Sequence, residues 1–111
     1  MQCGEVWFAD FPFEDDSSKT KKRPVIVLED EGGEAKVLAI KVTSRIGERD
    51  EYDVSLLYWQ KAKLRLASIA RTSKYFYIDK SKFIFKIGDL HEDDLDLVKT
   101  KFIEFILNEL K

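Results

Sequence analysis

The chain has little of what most enzyme chemistries need: one cysteine, one histidine, two prolines and five glycines in 111 residues. Cys3 alone cannot close an internal disulfide, which excludes a disulfide scaffold. At the third position of the chain, it reads as a bystander thiol, since a reactive cysteine needs an organised electropositive site. His91, without a second histidine or a cysteine cluster, gives neither zinc-ligand spacing nor a Ser/His/Asp pattern, and beside Glu92, Asp93 and Asp94 it reads as a helix cap. Gly32-Gly33 lacks the Lys-Ser/Thr of a phosphate loop. Asp15-Asp16 and Asp93-Asp94-Asp96 sit in no calcium-loop pattern and read as solvated acids. No metal and no cofactor is expected. An apolar run of about 18 residues and a basic-then-apolar leader are both missing, so the expectation is a cytoplasmic protein without a membrane segment.

What is present is the composition of a packed domain, 44% hydrophobic and 13% aromatic. A chain of this length buries roughly two thirds of its unfolded surface in one core, so residues 1–111 are expected to form a single domain. Lys and Arg number 19 against 21 Asp and Glu, a net charge of -2. With a pI near 5.5, the whole chain lacks the basic footprint, pI above about 9, usual for nucleic-acid binders. The charge is unevenly spread, however. Residues 1–16 carry five acids and no basic side chain, residues 17–74 carry thirteen bases and eight acids, and residues 75–111 carry six bases and eight acids. A basic centre lies between acidic ends.

Aromatic and branched residues from Glu5 to Phe11, stopped by Pro12, predict a first strand, and the polar stretch 13–22 a loop. Pro24 opens an apolar strand through Leu28, an acidic Gly-Gly turn follows, and 36–43 returns as its hairpin partner. Residues 44–51 form a charged loop, 52–56 a short strand, and 57–62 one helical turn around Trp59. Strands are expected at 68–72, 75–78 and 83–85. Glu92, Asp93 and Asp94 then open a helix whose apolar positions Leu95, Val98, Phe102, Phe105 and Ile106 recur at helical spacing, widened by Leu97, Ile103, Leu107 and Leu110. So broad a face must pack on the sheet or on another subunit. Short strands and one terminal helix predict a mainly β fold, a small antiparallel barrel with helical cover.

The remaining candidate chemistry is cationic. Lys19, Lys21, Lys22 and Arg23 lead into the second strand, Thr43, Ser44, Arg45 and Arg49 follow the third, and Arg71 and Lys74 flank a later one. Brought to one rim, these ends make a basic, hydroxyl-bearing groove suited to a phosphate backbone; left apart, they keep a small barrel soluble. Trp7, Phe11, Phe13, Tyr75 and Tyr77 are available for base stacking or for the core.

Gly4-Glu5-Val6-Trp7 with Asp10, Lys22-Arg23-Pro24-Val25-Ile26-Val27-Leu28 and Val42-Thr43-Ser44 resemble the opening of the MazF/PemK family of toxins from toxin-antitoxin systems. Trp59 before Lys61-Ala62-Lys63-Leu64, Ser68-Ile69-Ala70-Arg71, Ile78-Asp79-Lys80 and Ile87-Gly88-Asp89-Leu90 are similar to its PemK-like branch. The resemblance implies an SH3-like barrel, a homodimer, a metal-independent endoribonuclease acting on single-stranded RNA, and a cognate antitoxin occupying the same groove. Its catalytic pair falls on Arg23 and Thr43, with Lys19, Lys21, Lys22, Ser44, Arg45, Ser68, Arg71 and Lys74 as RNA-binding candidates. The residue types suit attack of a ribose 2′-hydroxyl on the adjacent phosphate. A guanidinium can meet two phosphoryl oxygens through its planar fork without a metal. Arginine is a poor base, with a pKa above about 12, so the general base has no identity from the residues. Two departures stand out. Ser68, Ile69 and Ala70 replace an acidic or amide side chain that several members carry there, and Lys63-Leu64 replaces the branch's usual Gly-Leu. The competing reading is a non-catalytic SH3-like barrel that binds a protein or nucleic-acid partner through the same groove.

Overall fold

Runs of aromatic and branched residues between polar breaks set the strands. In the computed structural model, which describes residues 1–13, 15–16, 18–30, 36–45 and 47–111, β1 (Glu5–Pro12), β2 (Thr20–Glu29), β3 (Lys36–Thr43), β4 (Asp53–Ser55), β5 (Ile69–Asp79) and β6 (Phe83–Asp89) precede one helix, α1 (Glu92–Glu109). The strands form one sheet in the order β4-β5-β3-β2-β1-β6, every neighbouring pair antiparallel. Among the described residues the edge strands β4 and β6 are not joined, so the sheet is not closed by hydrogen bonds.

Both faces of the central strands are covered, which explains the unbroken apolar run after Pro24: Val25, Ile26 and Val27 are all fully buried. On one face Val6, Ile26, Ile40, Val42 and Ala70 cluster with Val98, Leu95 and Phe102 of α1. On the other, Ala9, Phe11, Val25, Ala39 and Ile78 cluster with Trp7, Phe76 and Phe83. Gly4, with φ of +93°, accepts the Leu90 N–H and donates its own to Val27, while the Leu95 side chain fills the space a Cβ would need.

Three expectations change. The loop expected at 13–22 is shorter, because β1 pairs with β2 out to Pro12 opposite Thr20, and the Phe13 N–H donates to the Lys19 carbonyl. The strands expected at 68–72 and 75–78 are one strand. Ile40 pairs with Tyr75 but Lys41 with Arg71, so Thr72, Ser73 and Lys74 bulge from the β3 ladder. Asp94 is not a solvated acid: it is fully buried and accepts the N–H groups of Leu57 (3.1 Å) and Tyr58 (2.9 Å). The acidic Gly-Gly turn expected after β2 falls largely on 31–35, outside the described residues.

His91 caps α1 as expected, its Nδ1 accepting the Asp93 N–H at 3.1 Å, and its ring stacks on Tyr58. Val98 is fully buried and Leu95 and Phe102 pack on the core. By contrast Leu97, Ile103, Leu107 and Leu110 remain 49–78% exposed, so those four do not cover the sheet.

Candidate functional site

The ends of β2 and β3 meet on one side of the sheet. Val25 lies opposite Lys41 and Ile26 opposite Ile40. Arg23 and Thr43 each lie two residues beyond the Val25–Lys41 pair, at the same end of that ladder. In β5 the next ladder sets Thr43 opposite Ile69 and Lys41 opposite Arg71. Pro24 lacks a backbone N–H and fixes an extended Arg23, which pairs with Ala9 of β1.

These ends border a cleft of about 1200 Å³. Arg23, Thr43, Lys21, Lys22, Ser44, Arg45, Ser68 and Arg71 all line it. Lys19 is exposed outside the lining, and Lys74 borders a second, smaller hollow with Asp50, Tyr52 and Ser73. Four cations that the sequence reading passed over also line the cleft: Lys41, Lys63, Arg65 and Lys86. Its described lining thus carries nine Lys or Arg residues against two acids, Asp15 and Glu48. The signal for Lys41 was available as a cation two residues before Thr43 in the same strand. Lys63, Arg65 and Lys86 arrive through tertiary packing and had no local signal.

The side chains differ in how firmly they are held. Thr43 is 9% exposed and its Oγ1 accepts the Arg45 N–H at 3.1 Å, which leaves its own proton to be donated. The Nε of Arg23 is buried against the cleft wall. Ser68 Oγ donates to the Leu66 carbonyl at 2.7 Å. Arg71 donates Nε and Nη2 to the two oxygens of Asp53, each at 3.0 Å, and Nη2 also to the Glu48 carbonyl. The hydrogen bond to Asp53 raises its already high pKa, against the opposing effect of burial. Lys86 is bridged to Asp89 and Glu5, and the Asp89 contact raises its pKa. Lys22 reaches Asp10 at 3.4 Å.

Of the aromatics considered for stacking, Phe11 is core, Trp7 donates to Glu5 and packs on Phe83, and Tyr75 packs on Phe102 and Phe105. Tyr77 is exposed but away from the cleft. Phe13 is exposed at the cleft, where the Phe8–Phe85 pair, stacked with centroids 5.2 Å apart, joins it.

Fold and cleft together define a small antiparallel β-sheet protein with one α-helix and a cationic, hydroxyl-bearing cleft whose charge complements an anion. The chain belongs to the PemK-like, MazF-like toxins of type II toxin-antitoxin systems, whose family model matches residues 2–106. Among solved structures it is similar to MazF from Deinococcus radiodurans, with a TM-score of 0.77 at 20% identity over 96% of each chain. It is also similar to a mycobacterial endoribonuclease solved with its cognate antitoxin, at 0.73 and 12% identity over 96% of this chain and 94% of that one. For Mycobacterium tuberculosis toxin MazF-mt6 the values are 0.70 and 16%, over 92% and 95%. At these identities the likeness is one of fold. Comparison with curated protein sequences found no match.

Proposed function

We propose that residues 1–111 form one MazF/PemK-like domain, its sheet curled as an SH3-like barrel, that cleaves single-stranded RNA without a metal. The observation that carries the reading is that Arg23 and Thr43 both line one cleft whose described lining carries nine cations. Family membership supports the toxin role, and the endoribonuclease named among the similar structures supports the reaction.

In this reading the RNA backbone lies along the cleft, with Lys21, Ser44 and Arg45 on its phosphates and Phe13 against a base, while Lys22 and Ser68 border the strand and stay with Asp10 and the Leu66 carbonyl. Arg71 contributes charge while holding Asp53; Lys19 and Lys74 meet RNA only beyond the cleft. The 2′-oxygen bonds to phosphorus and the bond from phosphorus to the 5′-oxygen breaks, giving a 2′,3′-cyclic phosphate and a 5′-hydroxyl. The 2′-hydroxyl proton leaves and the departing 5′-oxygen gains one. Negative charge grows on the phosphoryl oxygens as the new bond forms, where the Arg23 fork and the Thr43 hydroxyl meet it. Among the described lining residues the proton acceptors are the carboxylates of Asp15 and Glu48. Charge stabilisation and positioning carry most of the catalysis, which fits a slow enzyme.

The chain acts as a cytoplasmic homodimer, supported by the exposed apolar residues of α1, and is neutralised by an antitoxin that fills the cleft. The test is incubation with a long unstructured RNA in EDTA. Arg23→Ala and Thr43→Ala should each lower cleavage by about a hundredfold or more while the circular dichroism spectrum is retained. RNA that is bound but left intact at high protein concentration would instead favour the non-catalytic binding module.

A further inference from the structure

Residues 57–63 form a helical turn closed at its end in a way that ordinarily calls for glycine. The Ala62 N–H donates to the Tyr58 carbonyl, Lys63 to Gln60 and Leu64 to Trp59. The last two bonds are the paired closure of a Schellman motif, in which the residue after the last helical one takes a left-handed backbone. That residue here is Lys63, with φ of 65°, the one positive φ outside glycine among the described residues. A side chain there is strained relative to glycine.

The turn has no freedom to relax. Asp94 holds its first two N–H groups, and Ala62 and Leu64 are buried on either side of Lys63. A Cβ at Gly88 would come within 2.3 Å of the Ala62 carbonyl oxygen, so the turn is seated directly on β6. The alternation that buries Leu64 leaves Lys63 and Arg65 exposed, and both line the cleft. Neither forms an ion pair among the described residues.

We infer that Lys63 is an RNA-contacting residue, held at a strained left-handed position so that its ammonium meets a backbone phosphate at the cleft wall. The inference rests on the cleft being an RNA site. A strained backbone kept in place by its surroundings marks a position where the side chain has work to do. A lone ammonium on a cationic wall has phosphate as its fitting counter-charge.

The test uses the full chain and a short randomised 2′-O-methyl RNA, which cannot be cut. Lys63→Gly should raise Tm by about 4 °C. It should weaken binding about threefold to tenfold and make the plot of log affinity against log salt shallower by about 0.7. Lys63→Arg should leave all three readings unchanged. A Lys63→Gly protein that binds with unchanged affinity and salt slope overturns the inference while the RNA-site reading stands. A Tm that falls overturns the strain argument and the inference with it. If the unsubstituted protein does not bind the RNA, both readings fall together.

Discussion

Arg71 is claimed by its own fold before any ligand arrives. Its fork spans both oxygens of Asp53, whose side chain is only 2% exposed, and it also ties down the loop carbonyl of Glu48. Arg71→Ala would leave that carboxylate buried without its cation, which costs about 2 kcal/mol after allowance for the partly exposed partner. A drop in urea midpoint should therefore accompany any loss of RNA affinity in Arg71→Ala, and an unchanged midpoint would show that the Asp53 pair is not holding the fold. Asp50, in the adjoining loop, supplies a pH dependence. The Tyr52 N–H, the Ser73 hydroxyl and the nearby charges of Arg71 and Lys74 hold its carboxyl below the ordinary 3.8, against the opposing effect of burial. Because the folded value is depressed, the stabilisation is present above the unfolded pKa and is lost as pH falls below it through the folded value. Asp50→Asn should show a smaller fall in urea midpoint between about pH 6 and about pH 3 than the unsubstituted protein. Equal falls would show that Asp50 is not the group responsible.

At the scale of elements, the 57–63 turn depends on a single carboxylate from the far end of the chain. Asp94→Ala strands two part-buried N–H groups together and should destabilise by about 1–3 kcal/mol, read as a lowered Tm. Gly88→Ala presses on the same turn from β6, and displacement of Ala62 should lower both Tm and RNA affinity, since Lys63 moves with it. A Gly88→Ala protein with unchanged Tm would mean that the turn can shift freely. The elements themselves were largely legible: aromatic and branched runs between polar breaks mark β1, β2 and β3, and helical spacing marks α1. The polar run through Ser73 and Lys74 looked like a break, because a bulge inside a strand carries the same residues as a loop. Asp94 was illegible for a related reason. An acid in the first turn of a helix is expected for the helix alone, and nothing local says that it will reach the N–H groups of Leu57 and Tyr58. Of the cleft, the cations at strand ends could be read directly; Lys63, Arg65 and Lys86 required the turn to be seated on β6.

For the whole molecule, a net charge of -2 hides a cleft whose described lining carries nine bases and two acids. The acidic ends keep the overall field weak, so attraction for a polyanion is confined to the cleft. At least three of the nine cations already serve internal partners: Lys22 with Asp10, Arg71 with Asp53, and Lys86 with Glu5 and Asp89. At most six remain to displace counterions, and a single strand releases about 0.7 of an ion for each phosphate neutralised. Affinity for a randomised 2′-O-methyl RNA should therefore fall with salt along a log–log slope no steeper than about -4. Binding titrations by fluorescence anisotropy across a range of potassium chloride concentrations measure that slope directly. A markedly steeper value would require phosphate contacts outside the cleft, and Lys19→Ala and Lys74→Ala would then reduce it, because those two cations lie beyond the lining. A slope within the limit that neither substitution changes would confine the RNA backbone to the cleft that holds Arg23 and Thr43.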